Sequence, residues 1–203
     1  MVDVIRDLAE HSMMSMVGLD EDEDVFAPIF QSTMRRSIWL GVNLVTAFIA
    51  VYFIGLFEAT LQQKIALAIL MPVVASMGGI AGTQTLIIVT RGIATGRVTT
   101  ANIKSLINKE VAVSGLNGII WSFVIAFVTY YWFNDVVLSV VIGLAIIVNL
   151  VVAAFSGAFL PLLLTKLKID PALAGGVILT TITDVIGFVA FLGLDRKSTR
   201  LNS

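Results

Sequence analysis

The sequence predicts an all-α, polytopic membrane protein with five transmembrane helices. Three observations lead to this fold class. Hydrophobic residues make up 58% of the 203 residues and charged residues only 13%, about half the share of a soluble domain. The mean hydropathy is +0.97. The apolar residues also form five long blocks, each with at least the length of about 20 residues that a helix needs to cross a bilayer.

The five predicted spans are separated by short polar segments. They cover residues 37–57, 65–90, 111–133, 136–165 and 171–194. Pro72 and a glycine cluster interrupt the second span. Pro171 suits the first turn of the fifth span, where a missing N–H costs nothing. We therefore expect a transmembrane domain over residues 38–194.

Lysine and arginine residues predict the orientation. With five spans, eight of them share one side, which is expected to be cytoplasmic; they are Arg35, Arg36, Arg91, Arg97, Lys104, Lys109, Lys166 and Lys168. The loops on the opposite side carry only Lys64. The prediction is a multi-pass protein of the plasma (inner) membrane, with the amino terminus inside and the carboxyl terminus outside.

The two ends of the chain differ from the apolar core. Residues 1–37 are predicted to be a cytosolic juxtamembrane segment; it contains five consecutive acids, Asp20–Asp24. This acidic run predicts either a solvated stretch or a weak divalent-cation site. Residues 195–203 form a polar tail that resembles translated vector sequence, and we expect no function from it; a short native tail is the alternative.

The composition excludes several function classes. The chain has no cysteine and one histidine, His11, which excludes disulfides, thiolate metal sites, zinc-binding histidine clusters and an embedded Ser–His–Asp triad. The net charge of −1 gives no field for nucleic acid. We expect neither an enzyme nor a cofactor; an intramembrane aspartyl hydrolase would need a second carboxylate from a dimer partner.

The strongest candidate for function is Asp184, the acid deep in the fifth span. A charge near the middle of the membrane costs a few kcal/mol and usually marks an ion or proton path. Gly176 and Thr180 precede it by eight and four residues, so the three share a helix face. This stripe predicts either a narrow aqueous path or a tight helix seam. In a symmetric dimer both hold, and two carboxylates without imidazole or thiolate favour a hard, hydrated cation such as Mg²⁺.

A second candidate site is the interrupted part of the second span. It consists of small or polar residues, which are weaker candidates than Asp184 for lining an ion path. They are Gly78, Gly79, Gly82, Thr83 and Gln84. Glycine here predicts either close helix packing or backbone carbonyls that face an ion path. Asn43, Asn117 and Asn149 are expected to hydrogen-bond between helices, whereas Glu58 and Glu110 are expected to be solvated at span edges.

Three sequence blocks resemble the transmembrane domain of the MgtE family of magnesium channels and transporters. They are LVTAFIAVYFIGLFEATL, LMPVVASMGGIAGTQTLIIVTRGIATG and IDPALAGGVILTTITDVIGF. The resemblance covers residues 26–194 and implies five helices per subunit and a homodimer with a pore on its two-fold axis. It also implies Asp184 as the ion-recognising carboxylate and Gly78, Gly79 and Gly82 near the pore. Ile80 stands where the family usually has Asn.

The resemblance also has implications for the amino-terminal segment and for function. Residues 1–24 resemble the end of a CBS region, and residues 26–36 resemble the connecting plug helix. The expected function is Mg²⁺ influx down its electrochemical gradient. An exchanger that protonates Asp184 during its cycle is the alternative.

Overall fold

The computed structural model describes residues 28–99, 101–169 and 171–201. Within these ranges the chain is helical, with no strand: α1 Ile29–Gly55, α2 Glu58–Gln63, α3 Ile65–Ala94, α4 Ile103–Phe133, α5 Val136–Lys166 and α6 Pro171–Leu201. All except the short α2 are long and apolar enough to cross a membrane. The predicted five-span, all-α fold is therefore confirmed.

The helices extend beyond several predicted span ends. α1 begins at Ile29 and continues through Arg36, so most of the segment that resembles a plug helix is continuous with the first span. α4 begins eight residues before the predicted start at 111. Hydropathy marks only the part of a helix that lies in hydrocarbon, whereas lysine and arginine are good helix formers and allow the helix to continue into the interface.

Helix α5 is the centre of the bundle and packs against α3, α4 and α6. In the most apolar part of α5, 56% of the residues are buried, whereas in the corresponding part of α1 only 6% are buried. Small residues permit the close approach. A Cβ atom on Gly157 would lie 2.5 Å from the carbonyl oxygen of Gly82 on α3, so α3 and α5 touch through their backbones at this level.

An ion pair joins the ends of α3 and α6 that lie on the predicted outer side. Lys64 Nζ is 3.0 Å from Asp195 Oδ1, and the Asp195 side chain is only 1% exposed. Asp135, in the turn between α4 and α5, lies 4.0 Å from the same ammonium. Helix α6 does not end at Leu194 but continues to Leu201. Asp195, the first residue of the predicted polar tail, is therefore part of the packed structure.

Candidate functional site

Asp184 lies near the middle of the membrane-crossing part of α6. That part runs from Gly175 to Ser198, and nine residues of helix from Gly175 to Asp184 rise about 14 Å, close to half of a hydrocarbon core of about 30 Å. Asp184, Thr180 and Gly176 are all half-buried. Leu179 and Thr183, on the neighbouring face, are fully buried. The stripe therefore lies at the edge of the packed interior and stays partly accessible in the single chain.

The threonine hydroxyls near Asp184 donate their hydrogens to the backbone of their own helix. Thr180 Oγ1 lies 3.1 Å from the carbonyl oxygen of Gly176 and 3.0 Å from that of Val177. Thr181 donates to Val177 at 2.8 Å, and Thr183 donates to Thr180 at 3.0 Å. A hydroxyl oxygen that donates in this way keeps lone pairs that accept from water or contact a cation. Thr180 and Thr181, which are half-buried, thus present acceptors near the carboxylate, whereas Thr183 is fully buried.

Two of the candidate glycines on α3 are packing positions. A Cβ atom on Gly78 would overlap the Asn149 side chain, and one on Gly82 would lie 3.0 Å from Leu179 on α6. By contrast, a Cβ atom on Gly79 would meet nothing within 4 Å. Thr83 donates to the Gly79 carbonyl oxygen at 2.8 Å, and both residues are half-buried. Of the two alternatives for this cluster, close helix packing applies to Gly78 and Gly82, while Gly79 and Thr83 lie on a more open face.

Asn149 connects these glycines to the helix that carries Asp184. Its side chain is fully buried on α5, and its Nδ2 donates to the carbonyl oxygen of Val74 on α3 at 2.8 Å. A Cβ atom on Gly187 of α6 would lie 2.7 Å from the same Nδ2. Gly187 is one turn beyond Asp184, so this three-helix junction sets the position of α6 next to the carboxylate. The predicted interhelical hydrogen bond of Asn149 is confirmed.

Gln84 lines a cavity that does not include Asp184. This cavity of about 440 Å³ lies between α3, α4 and α5, and its polar lining consists of Gln84, Thr85, Glu110, Ser114 and Asn117. Asp184 is not among the lining residues. The structure therefore does not bring Gln84 together with Asp184.

Glu110, which also lines this cavity, is buried rather than solvated. It is 5% exposed, and its Oε1 lies 3.4 Å from Lys109 Nζ. The expectation of a solvated edge position is wrong because Glu110 lies on the face of α4 that is turned toward α3 and α5, where it lines this cavity. A signal was present in the sequence: Glu110, Ser114 and Asn117 follow the i, i+4, i+7 spacing of one helix face.

The described residues contain no group of three or more His, Cys, Asp or Glu side chains that could hold a metal ion. A bare divalent cation usually takes six or more oxygen ligands. One carboxylate with nearby hydroxyl and carbonyl oxygens is instead suited to contacts with the water shell of a hydrated ion. This geometry is that of a multi-pass α-helical membrane protein with a polar stripe at the edge of its helix bundle.

Comparison with known proteins identifies the family. A family described as "MgtE: Divalent cation transporter" matches residues 71–194, more than half of the chain. The chain belongs to the MgtE family, as the sequence blocks predicted.

Curated relatives support the same assignment. A protein named Magnesium transporter MgtE from Bacillus subtilis (strain 168) is 31% identical over 193 residues, which cover 95% of this chain and 43% of the relative. Proteins of the same name from Enterococcus faecalis and Thermus thermophilus are 28% and 30% identical, over 95% and 80% of this chain and 42% and 36% of their own lengths. The chain thus spans less than half the length of these relatives.

Proposed function

We propose that this chain is the ion-conducting part of a Mg²⁺ channel or transporter. Two findings support the proposal: membership in a family described as divalent cation transporters, and relatives named as magnesium transporters that align with 80% to 95% of the chain. Mg²⁺ is the transported substrate in this proposal, and no cofactor is required.

The observation that carries the proposal is the place of Asp184. Its ionised carboxylate at mid-membrane costs about 3 kcal/mol on insertion scales, and an opposite charge in a water-filled path offsets this cost. Mg²⁺ binds its water tightly. In the proposed mechanism the carboxylate accepts hydrogen bonds from that water, and the hydroxyl oxygens of Thr180 and Thr181 accept others. The cation keeps its shell, so a single carboxylate per chain is enough.

The conducting unit is proposed to be a homodimer with the pore on its two-fold axis. Asp184, Thr180 and Gly176 are half-buried in the single chain, which leaves this stripe available to a symmetry-related copy. Small residues on the stripe permit close approach of two helices. Two copies would place two Asp184 carboxylates around one path, which matches the double charge of Mg²⁺.

Mg²⁺ is proposed to enter the cell through this pore. An inside-negative potential of 100 mV favours entry of a divalent cation by about 4.6 kcal/mol, twice the value for one charge. With the amino terminus inside, the basic ends of α3 and α4 face the cytoplasm, in agreement with the positive-inside rule. Influx therefore needs no coupled energy source.

A growth experiment tests this function. A bacterial host that lacks its own Mg²⁺ uptake systems is transformed with the wild-type chain or with Asp184→Ala, and growth is measured over a series of Mg²⁺ concentrations. The wild type should restore growth at low Mg²⁺, and the variant should not, although it should reach the membrane in equal amount. Equal rescue by both would overturn the role of Asp184. Rescue by neither would overturn conduction by this chain.

A further inference from the structure

We propose that the cleft between the ends of α3 and α4 binds the phosphate headgroup of an anionic phospholipid. The cleft has a volume of about 650 Å³, within the range of small-molecule sites. Three of its ten lining residues are basic, Arg91, Arg97 and Lys109, and none of the ten is acidic. This inference does not depend on the proposed transport function.

The cleft has a defined shape because the loop after α3 folds back on its own helix. The backbone N–H groups of Arg97 and Val98 both donate to the carbonyl oxygen of Gly92, at 2.9 and 3.0 Å. Gly96 makes the reversal with a φ of +67°. Asn102 then closes the loop, since its Oδ1 accepts from Thr99 N at 2.8 Å and its Nδ2 donates to the Arg97 carbonyl oxygen at 2.7 Å.

This loop geometry places two guanidinium groups beside one opening. Arg91 lies in the last turn of α3, and Arg97 lies in the folded loop. Both are exposed. Guanidinium groups bind phosphate oxygens in pairs of parallel hydrogen bonds, which makes arginine better suited than lysine to a planar, oriented contact. Lys109 is a weaker contributor because its ammonium also lies 3.4 Å from Glu110 Oε1.

The start of α4 adds a favourable field. The first turn of this 31-residue helix contains no acidic residue, and Ser105 and Leu106 of that turn line the cleft. A helix amino terminus carries a partial positive charge and favours anions. This field and the two arginines both favour binding of an anion in the cleft.

The position of the cleft favours a lipid over a free phosphate ion. The apolar stretches of the two helices end near residue 90 and begin again near residue 111, so the basic residues lie at the edge of the membrane, where headgroups lie. Ile88, Val98 and Leu106 form an apolar part of the lining. A lipid supplies both a phosphate for the arginines and a glycerol and acyl portion for this wall. Basic pockets between spanning helices bind lipid headgroups by this combination.

Native mass spectrometry of the full, delipidated chain tests the proposal. Phosphatidylglycerol is titrated into the wild type and into Arg91→Gln/Arg97→Gln, with phosphatidylcholine as the uncharged comparison. The double variant should bind phosphatidylglycerol about 30-fold more weakly, as expected for two interfacial cations, and phosphatidylcholine binding should not change. Arg91→Lys/Arg97→Lys keeps both charges but loses the paired hydrogen bonds, so its affinity should lie between those of the wild type and the Gln variant. Since both arginines are exposed, all variants should fold.

A matched control separates the cleft from general surface charge. Lys166 is the last residue of α5 and Lys168 lies on the loop that follows; both are at the same end of the bundle and are also exposed. Lys166→Gln/Lys168→Gln should leave phosphatidylglycerol binding within about twofold. Equal losses in the two Gln pairs would overturn the proposal, and so would unchanged binding in Arg91→Gln/Arg97→Gln. Displacement of the lipid by millimolar inorganic phosphate would overturn the lipid as the ligand.

Discussion

Asn149 Nδ2 donates a hydrogen bond of 2.8 Å to the carbonyl oxygen of Val74, which lies 75 residues earlier in the chain. The carbonyl of Val74 faces the backbone at Gly78, four residues later. Because Gly78 has no side chain, the buried amide of Asn149 can approach the helix backbone there. The amide on α5 thus fixes α3, and through Gly187 it also fixes α6 within one turn of Asp184.

The first prediction concerns this junction. Gly78→Ala should reduce the free energy of unfolding by about 1–3 kcal/mol, because the added methyl group overlaps the Asn149 side chain. Gly79→Ala is the matched control, since a Cβ atom there meets nothing within 4 Å; it should be neutral or slightly stabilising. Thermal unfolding in detergent measures both. Equal stability of the two variants would contradict the packing role of Gly78.

The second prediction concerns the ion pair between Lys64 and Asp195. Lys64→Met should destabilise the protein by about 3 kcal/mol, because it removes the cation from a carboxylate that is 1% exposed. Lys64→Met/Asp195→Leu removes both charges and should recover most of that loss. Asp135→Asn is the control, because its contact to Lys64 is 4.0 Å long and its side chain is 36% exposed; it should cost less than about 1 kcal/mol. If the double variant were as unstable as Lys64→Met, the ion pair would not be the cause of the loss in stability.

The third prediction separates the roles of two carboxylates, Glu110 and Asp184. Glu110 lines a cavity that does not include Asp184. Glu110→Gln preserves the shape of the side chain. In the growth assay, the Mg²⁺ concentration that this variant needs for growth should be within about twofold of that of the wild type. Loss of uptake equal to that of Asp184→Ala would show that the Glu110 cavity belongs to the ion path.

The fourth prediction tests the proposed dimer axis. The chain has no cysteine, so single-cysteine variants report one position each. Thr180→Cys on the Asp184 stripe should be cross-linked between two chains by a short bifunctional maleimide in membranes, because a disulfide is too short to span a path that holds a hydrated ion. Phe127→Cys on α4, where the side chain is 71% exposed, should stay unpaired because that face is expected to contact lipid. Pairing at position 127 and none at 180 would place the interface elsewhere.

Hydropathy was sufficient to predict the five spans, because the bilayer fixes the length of apolar helix that each crossing needs. It could not predict which side of each helix is buried, since a lipid-facing and a protein-facing residue are equally apolar. The predicted hydrogen bond of Asn149 followed from the cost of a lone amide in hydrocarbon. The burial of Glu110 and Asp195 did not follow from hydropathy. Glu110 is covered where α4 meets α3 and α5, and Asp195 pairs with Lys64, which is distant in the chain.

The same reasoning applies to the candidate site. The stripe of Gly176, Thr180 and Asp184 follows from helical spacing alone. The different surroundings of Gly78 and Gly79 do not, because neighbouring residues on α3 point about 100° apart and only the packing of α5 and α6 decides which of them is covered.

The initial rate of Mg²⁺ entry into liposomes is the most direct test of the role of Asp184. Equal amounts of wild-type protein, Asp184→Asn and the control Glu110→Gln are reconstituted under an inside-negative potential, and entry is followed with an internal Mg²⁺ dye. The wild type and the control should conduct, and Asp184→Asn should be slower by at least about tenfold, because loss of 1.4 kcal/mol of ion stabilisation is a factor of ten in rate. Entry through Asp184→Asn at the wild-type rate would contradict the account.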